Sequence, residues 1–271
     1  MSRFERTSNV TVRHIAARKG GEPVVCLTAY SARMAEILDP HCDLLLVGDS
    51  VGSVIHGQPF TVGVTLEMMI LHGQAVMRGA PKACVIVDMP FGSCEESKEV
   101  AFRNAALVMQ ETGCSGVKLE GGVEMAPTIE FLVSRGIPVM GHIGLQPQSV
   151  NVSGYAARGR RHEEWDAIIA DAQAVADAGA FATVLEAVAG DLAAKITADI
   201  PNVTIGIGAS KQCDGQILVT EDLLGLFERT PSFVKRYAEI GDLIGEAVGK
   251  YAEDVKSRSY PDSDHSYDMK D

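Results

Sequence analysis

The feature that most constrains this chain is a rhythm. Short runs rich in Val, Ile, Leu, Ala and Thr recur at 24–30, 44–50, 84–90, 116–122, 138–144, 182–188 and 204–210, and most end in Gly or a polar residue. Most are apolar on both parities, as expected of parallel strands covered on two faces rather than strands with one wet side. Amphipathic stretches separate them at 32–38, 65–78, 98–112, 123–135, 162–178 and 191–198. Gly113, Gly136 and Gly179 fall where helix C-termini call for a left-handed residue. An eighth run at 216–219 is weaker and is followed by a short stretch at 222–227, and 232–256 reads as one or two further helices. Strand–helix units of this number within 271 residues predict an α/β fold, a (β/α)8 TIM barrel. The predicted organisation is one domain over 1–258, with N- and C-terminal helical additions, and a polar tail at 259–271. No linker or composition break interrupts it, and no G-x-G-x-x-G follows the first run, which disfavours an open dinucleotide-binding sheet.

Charge narrows the functional classes. Lys plus Arg number 24 against 36 Asp plus Glu, a net charge of −12, which leaves no basic face for nucleic acid or an anionic membrane. An anionic small molecule remains admissible, because one metal ion or lysine reverses the local sign. The six cysteines, Cys26, Cys42, Cys84, Cys94, Cys114 and Cys213, form no CxxC pair, the pattern of a reducing compartment. With no signal-peptide core and no apolar run of membrane-spanning length, the chain reads as soluble and cytoplasmic.

The polar residues that end the runs carry the chemistry. Asp49 closes LLLVGDS, Asp88 closes CVIVDMP, Lys118 and Glu120 sit in GVKLEGG, His142 in PVMGHIG and Glu186 in TVLEAV. The C-terminal strand ends of a parallel barrel converge on one face, so residues distant in sequence meet there. Lys118 and Glu120 share parity and so project the same way. Each residue also has a plain structural account. Asp49 and Asp88 suit helix N-caps or turns, Lys118 and Glu120 an ion pair, His142 a satisfied core histidine and Glu186 a cap or arginine partner. Together, so many charges buried on one rim without purpose would be costly. Three carboxylates (Asp49, Asp88, Glu120) with no Cys/His cluster suit a hard cation, Mg²⁺ in particular. Such an ion chelates a carboxylate and an adjacent keto oxygen and stabilises the enolate formed when a neighbouring proton leaves. Lys118 adds a fixed positive charge for the same oxygens, and Glu186 remains as the proton-abstracting base. The residue types thus point to metal-assisted enolisation of an α-keto acid.

Two weaker motifs complete the reading. GIGAS at 206–210 lacks the second glycine-rich turn of a barrel phosphate site and suits close packing. The loop HIGLQPQSVN at 142–151 reads either as a connection or as the wall of a second-substrate pocket, with His142 at its start.

These residues lie in runs that resemble the ketopantoate hydroxymethyltransferase family. The runs are LTAY (27–30), LVGDSVG (46–52), RGAP (78–81), VDMPFGS (87–93), VKLEGG (117–122), GHIGLQPQSVN (141–151), GIGA (206–209), DGQILV (214–219), PSFVKRY (231–237) and YPDSDHS (260–266), all in family order. The resemblance implies a (β/α)8 barrel that assembles as a homodecamer and binds Mg²⁺. It implies transfer of a hydroxymethyl group from methylenetetrahydrofolate to 3-methyl-2-oxobutanoate, giving 2-dehydropantoate for pantothenate biosynthesis. Carried over by motif, Asp49 and Asp88 bind the metal and Glu120 completes its shell through water. Asp49, Ser50, Asp88 and Lys118 hold the keto acid, and Glu186 accepts the proton. The chain departs from the pattern at Ser31, where the family usually has Asp, at Ser210, usually Gly, and at Leu71, often Tyr. The loop NVSGYAARGR at 151–160 is one residue shorter, with Ala156, Ala157 and Arg158 in place of Lys-Val-Gln. Two other readings stand beside this one. One is a Mg²⁺-dependent carbon–carbon lyase of the phosphoenolpyruvate mutase and isocitrate lyase group, whose KKCGH-like cysteine loop is missing here. The other is a catalytically silent binding barrel.

Overall fold

The computed structural model describes residues 9–269. Eight parallel strands close on themselves in sequence order: β1 Val24–Thr28, β2 Leu44–Val47, β3 Cys84–Asp88, β4 Gly116–Glu120, β5 Val139–Gly144, β6 Ala182–Glu186, β7 Val203–Ile207 and β8 Gly215–Leu218. The bonding of β1 to β8 completes the ring, with Val24 opposite Gly215 and Leu27 opposite Leu218. Most of the predicted strands end two or three residues early. The residues that follow leave the hydrogen-bonded ladder and enter the loops, Asp49 among them, while Asp88, Glu120 and Glu186 stay as the last residues of their strands.

The double apolarity of the runs follows from two nested cores. Val24, Cys26, Leu44, Leu46, Cys84, Ile86, Met140, Ala182, Val184, Val203, Ile205 and Ile217 pack together as the barrel interior. The alternate residues, among them Leu45, Val47, Val85, Val87, Val117, Leu119, Val139 and Leu185, pack with helix residues on the outside. Helix Leu66–Gly79 supplies Met69, Gly73 and Val76, and helix Lys98–Thr112 supplies Ala101, Ala105 and Val108, each at the spacing of one helical face. Ser97 caps the second of these helices through the Val100 N–H, and Gly113 ends it at φ 75°, a backbone state that an L side chain resists. Ile15, from the short helix Val12–Ala16, joins the interior cluster. All six cysteines are buried and free. Among the described residues no helix is long and apolar enough to cross a membrane.

The chain divides into two compact units after Val219, so the boundary expected after residue 258 falls inside the second. That unit holds helices Thr220–Leu223 and Ile240–Ser257 and a 3-10 turn at Ser263–His265. The tail begins tied to the long helix, because Asp254 O accepts the Ser259 and Tyr260 N–H groups and Tyr260 stacks edge-on against Tyr251.

One carboxylate locks the barrel's last closure. Asp214 Oδ2 accepts hydrogen bonds from Thr204 N at 2.8 Å, Thr204 Oγ1 at 3.0 Å and Lys19 Nζ at 3.0 Å, while Oδ1 accepts from Gly20 N at 2.8 Å. Burial works against its charge, yet these donors hold its carboxyl below the usual range. A depressed acid contributes its full stability above its unfolded pKa of about 3.9 and loses it as pH falls through the lower folded value. Asp214→Asn is expected to cost about 2–4 kcal/mol at pH 7. It should also flatten the fall in stability below pH ~4, read from denaturant titrations at both pH values.

Candidate active site

Side-chain parity carries the interior columns past their apolar layer and into polar residues at the C-terminal mouth. Along β3 the inward positions run Cys84, Ile86, Asp88, and along β5 Met140, His142. Along β6 they run Ala182, Val184, Glu186, and on β4 Lys118 and Glu120 occupy the same parity. Asp49 lies past the end of β2 and so escapes this count. Its backbone N–H donates to Asp88 Oδ2 at 3.0 Å, which draws the two residues into one site. Neither aspartate caps a helix. Ser50 occupies the N-cap of helix Val51–Val54 without a side-chain cap bond, and its Oγ instead lies 2.7 Å from Tyr30 Oη.

The contacts form a chain across the mouth. Lys118 Nζ lies 2.9 Å from Asp88 Oδ1 and 3.0 Å from His142 Nδ1. His142 Nδ1 is 3.4 Å from Glu120 Oε1, and Nε2 is 3.2 Å from Glu186 Oε2. Asp49, Asp88, Lys118 and His142 are all buried. Local backbone geometry serves the same end. Gly144 (φ 92°) ends β5 so close to β6 that a Cβ there would lie 2.4 Å from Glu186 O. Ala187, directly after Glu186, holds a left-handed φ of 50°.

The electrostatics are those of too many acids around one base. Burial, then Asp88 and Glu120, push Asp49 up to about 7. Burial also raises Asp88 against the opposing pull of Lys118. Burial works against the Lys118 charge, but Asp88, Glu120 and Asp49 more than offset it, so Lys118 is a fixed cation. Glu120 is held low despite burial by its His142 contact, Lys118 and the Gln148 N–H. Burial and Lys118 oppose protonation of His142, and contacts with Glu120 and Glu186 outweigh them, lifting it to about 9. Lys118 donates to Nδ1 only when that nitrogen is bare; a protonated ring turns its Nδ1–H to Glu120 instead.

The site fits a divalent cation on two counts. Asp49, Asp88, Glu120 and Glu186 against Lys118 and a protonated His142 leave two negative charges when all are ionised. In addition, Asp88 Oδ1 and Glu120 Oε1 are buried without a well-directed hydrogen-bond donor, although charged neighbours stand close. Among the described residues no three His, Cys, Asp or Glu side chains are grouped to hold a metal by themselves. Mg²⁺ commonly takes one or two carboxylates and completes its shell with water and substrate oxygens.

Sequence reasoning missed Gln148 and Tyr155. Gln148 is buried, and its amide reaches Asp49. Tyr155 is exposed on the 151–160 loop, yet burial and the charges of Asp49 and Glu186 raise its hydroxyl. Neither residue belongs to a periodic run, so pattern did not mark them; only the polarity of the loop did.

A closed parallel barrel with buried acids and an ammonium at its C-terminal mouth has the construction of a barrel enzyme. Residues 9–263 match the ketopantoate hydroxymethyltransferase family. A 3-methyl-2-oxobutanoate hydroxymethyltransferase of Hyphomonas neptunium is 58% identical over 271 residues, covering 100% of this chain and 98% of that protein. One of Paracoccus denitrificans is 60% identical over 255 residues, covering 93% and 92%. The chain belongs to this family and is an enzyme that transfers a one-carbon group. Among solved structures, 2,3-dimethylmalate lyase, a PEP mutase/isocitrate lyase superfamily member, superposes with TM-score 0.61 at 16% identity, covering 95% of this chain and 92% of that one. Phosphonopyruvate hydrolase in complex with oxalate and Mg²⁺ gives TM-score 0.58 at 11% identity, covering 94% and 93%. At such identities the likeness is one of fold.

Lys118 is the charge that makes the buried acids tolerable. Lys118→Met is expected to destabilise the protein by about 3 kcal/mol or more, since a buried carboxylate then stands without its cation. Chemical denaturation at pH 8 reads this, and Asp88→Asn in the same background should recover part of the loss.

Proposed function

We propose that this enzyme transfers a hydroxymethyl group from methylenetetrahydrofolate to 3-methyl-2-oxobutanoate, forming 2-dehydropantoate in pantothenate biosynthesis, by way of an enolate. The observation that carries the reading is the Asp88–Lys118–His142–Glu186 chain closing on Asp49 at one barrel mouth. Names borne by relatives at 58–60% identity support the substrate and favour it over a lyase or a silent barrel.

Asp49 and Asp88 would hold Mg²⁺ directly, with Glu120 reaching it through water. When bound, the ion supplies Lewis-acid stabilisation of the keto oxygen as negative charge develops there. Lys118 places its fixed charge beside the same oxygens, already desolvated and in position before the reaction begins. Ser50, held by Tyr30, offers a hydroxyl to the substrate carboxylate. Glu186 takes the C3 proton as general base. Water would first release the one-carbon unit as formaldehyde, breaking both of its C–N bonds and leaving tetrahydrofolate; the carbon nucleophile then adds to that carbonyl carbon, and the carbonyl oxygen takes a proton to become the product hydroxyl. His142 was read from sequence as part of a second-substrate pocket. Its burial, and ring nitrogens turned to Lys118 and Glu186, support instead a role in orienting the base. We assign the wall of the folate pocket to Tyr155 and the rest of the 151–160 loop. The enzyme is read as a cytoplasmic homo-oligomer, a decamer by family resemblance, which light scattering checks.

Two measurements test the mechanism. The C3 proton of 3-methyl-2-oxobutanoate should exchange with deuterated water in the presence of Mg²⁺ and without folate. Glu186→Gln should abolish that exchange, and exchange retained in the variant removes Glu186 as the base. Separately, Asp49→Asn or Asp88→Asn should raise the Mg²⁺ concentration for half-maximal exchange about tenfold or more; an unchanged requirement excludes that residue as a ligand.

A further inference from the structure

Gln148 follows Pro147 in the 3-10 turn Pro147–Ser149 that succeeds β5, and only 7% of it is exposed. Its amide Nε2 donates to Asp49 Oδ2 at 3.0 Å and to Met89 O at 3.0 Å, and its backbone N–H donates to Glu120 Oε2 at 3.1 Å. The partners come from the segments after β2 and β3 and from the end of β4. Both amide hydrogens are committed, so the side chain is held at two points and has no idle donor.

The bonds to Asp49 and Glu120 each occupy one oxygen of a carboxylate and leave the other. On Asp49, Oδ2 is taken and Oδ1 is left. On Glu120, Oε2 is taken, and Oε1 is left facing the His142 ring at 3.4 Å. The geometry points to Gln148 as a positioning residue: it decides which oxygen of Asp49 and which of Glu120 faces the cation and the keto acid. The inference rests on the reading of this mouth as a Mg²⁺ and keto-acid site.

The residue type suits that task. A neutral double donor orients two acceptors without altering a charge balance that already leaves two negative charges for the cation. A glutamate there would lose both donors and add a further carboxylate beside Asp49. A lysine would neutralise Asp49 and compete with the metal. The Met89 carbonyl serves as a fixed anchor, so that movement of Asp49 strains a bond to the backbone rather than to another mobile side chain. Hydrogen-bond partners of ligating groups typically govern metal affinity by 10–100-fold.

The test uses the full chain with Mn²⁺ as a paramagnetic probe and Mg²⁺ as competitor. Gln148→Met keeps the volume and the backbone bond to Glu120 while removing both amide donors. It should raise the Mn²⁺ dissociation constant about tenfold or more and change the spectrum of bound Mn²⁺ by electron paramagnetic resonance. The Mg²⁺ concentration for half-maximal proton exchange should rise in parallel. In an Asp49→Asn background the same substitution should add less than about twofold, since the two residues act as a unit. Gln148→Asn, one methylene too short to reach both acceptors, should show the same direction at threefold or more and serves where the Met variant does not fold. If Gln148→Met binds Mn²⁺ with unchanged affinity and spectrum, even at a lowered melting temperature, Gln148 only tethers its loop and the inference falls alone. If the wild-type chain binds no Mn²⁺ at this mouth, with Asp49→Asn and Asp88→Asn indistinguishable from it, the reading of the site falls and takes the inference with it.

Discussion

Three carboxylates and one ammonium, all shielded from water at the open end of a barrel, set the terms for the rest of this molecule. Lys118 stands 2.9 Å from Asp88 and 3.0 Å from His142, and its charge is what allows Asp88, Glu120 and Asp49 to lie so near one another. The balance is incomplete without a further positive charge, and burial together with Asp88 and Glu120 drives Asp49 to about 7. A mouth left with two negative charges suits a divalent cation, whose charge would match them.

Such an arrangement depends on a scaffold stiff enough to hold like charges in place. The interior layer of Val, Ile, Leu and Cys side chains lies directly beneath the acids, and the outer layer binds the strands to their helices. Strain is accepted beside Glu186. Ala187 adopts a left-handed backbone that costs a non-glycine residue about 1 kcal/mol. It is held there because its N–H donates to Ile207 O at 2.8 Å and its carbonyl accepts the Arg158 N–H at 2.8 Å. The second of these bonds also explains how the shortened 151–160 loop tolerates Ala156, Ala157 and Arg158. The loop is docked through its backbone to the segment that follows β6, as the Ala189 N–H to Arg158 O bond at 2.9 Å also shows, so side-chain changes there leave the docking intact.

The legible part of the site was the part that follows strand parity. Asp88, Lys118, Glu120, His142 and Glu186 extend apolar runs at positions of the inward column, and a period of two in a closed sheet leaves them no other direction. Asp49 was legible as a strand-end acid, but nothing in the run said that its backbone, not its side chain, would bond Asp88. Gln148 and Tyr155 were illegible as partners because loops have no period; their neighbours come from segments far away in the chain. His142 stood in the right place with a role that only its two faces reveal, one toward Lys118 and one toward Glu186.

What the amino-acid order by itself determined was the alternation of buried strand and amphipathic helix, the closure into a barrel that their number permits, and the set of acids at the strand ends. Those are local properties, settled by which side chains prefer water and by how a strand or helix repeats. What only the tertiary structure decided was pairing: which acid meets the ammonium, which oxygen stays open, and which loop amide reaches across to brace it. Those depend on distances between segments up to 99 residues apart, and such distances exist only once the ring has closed.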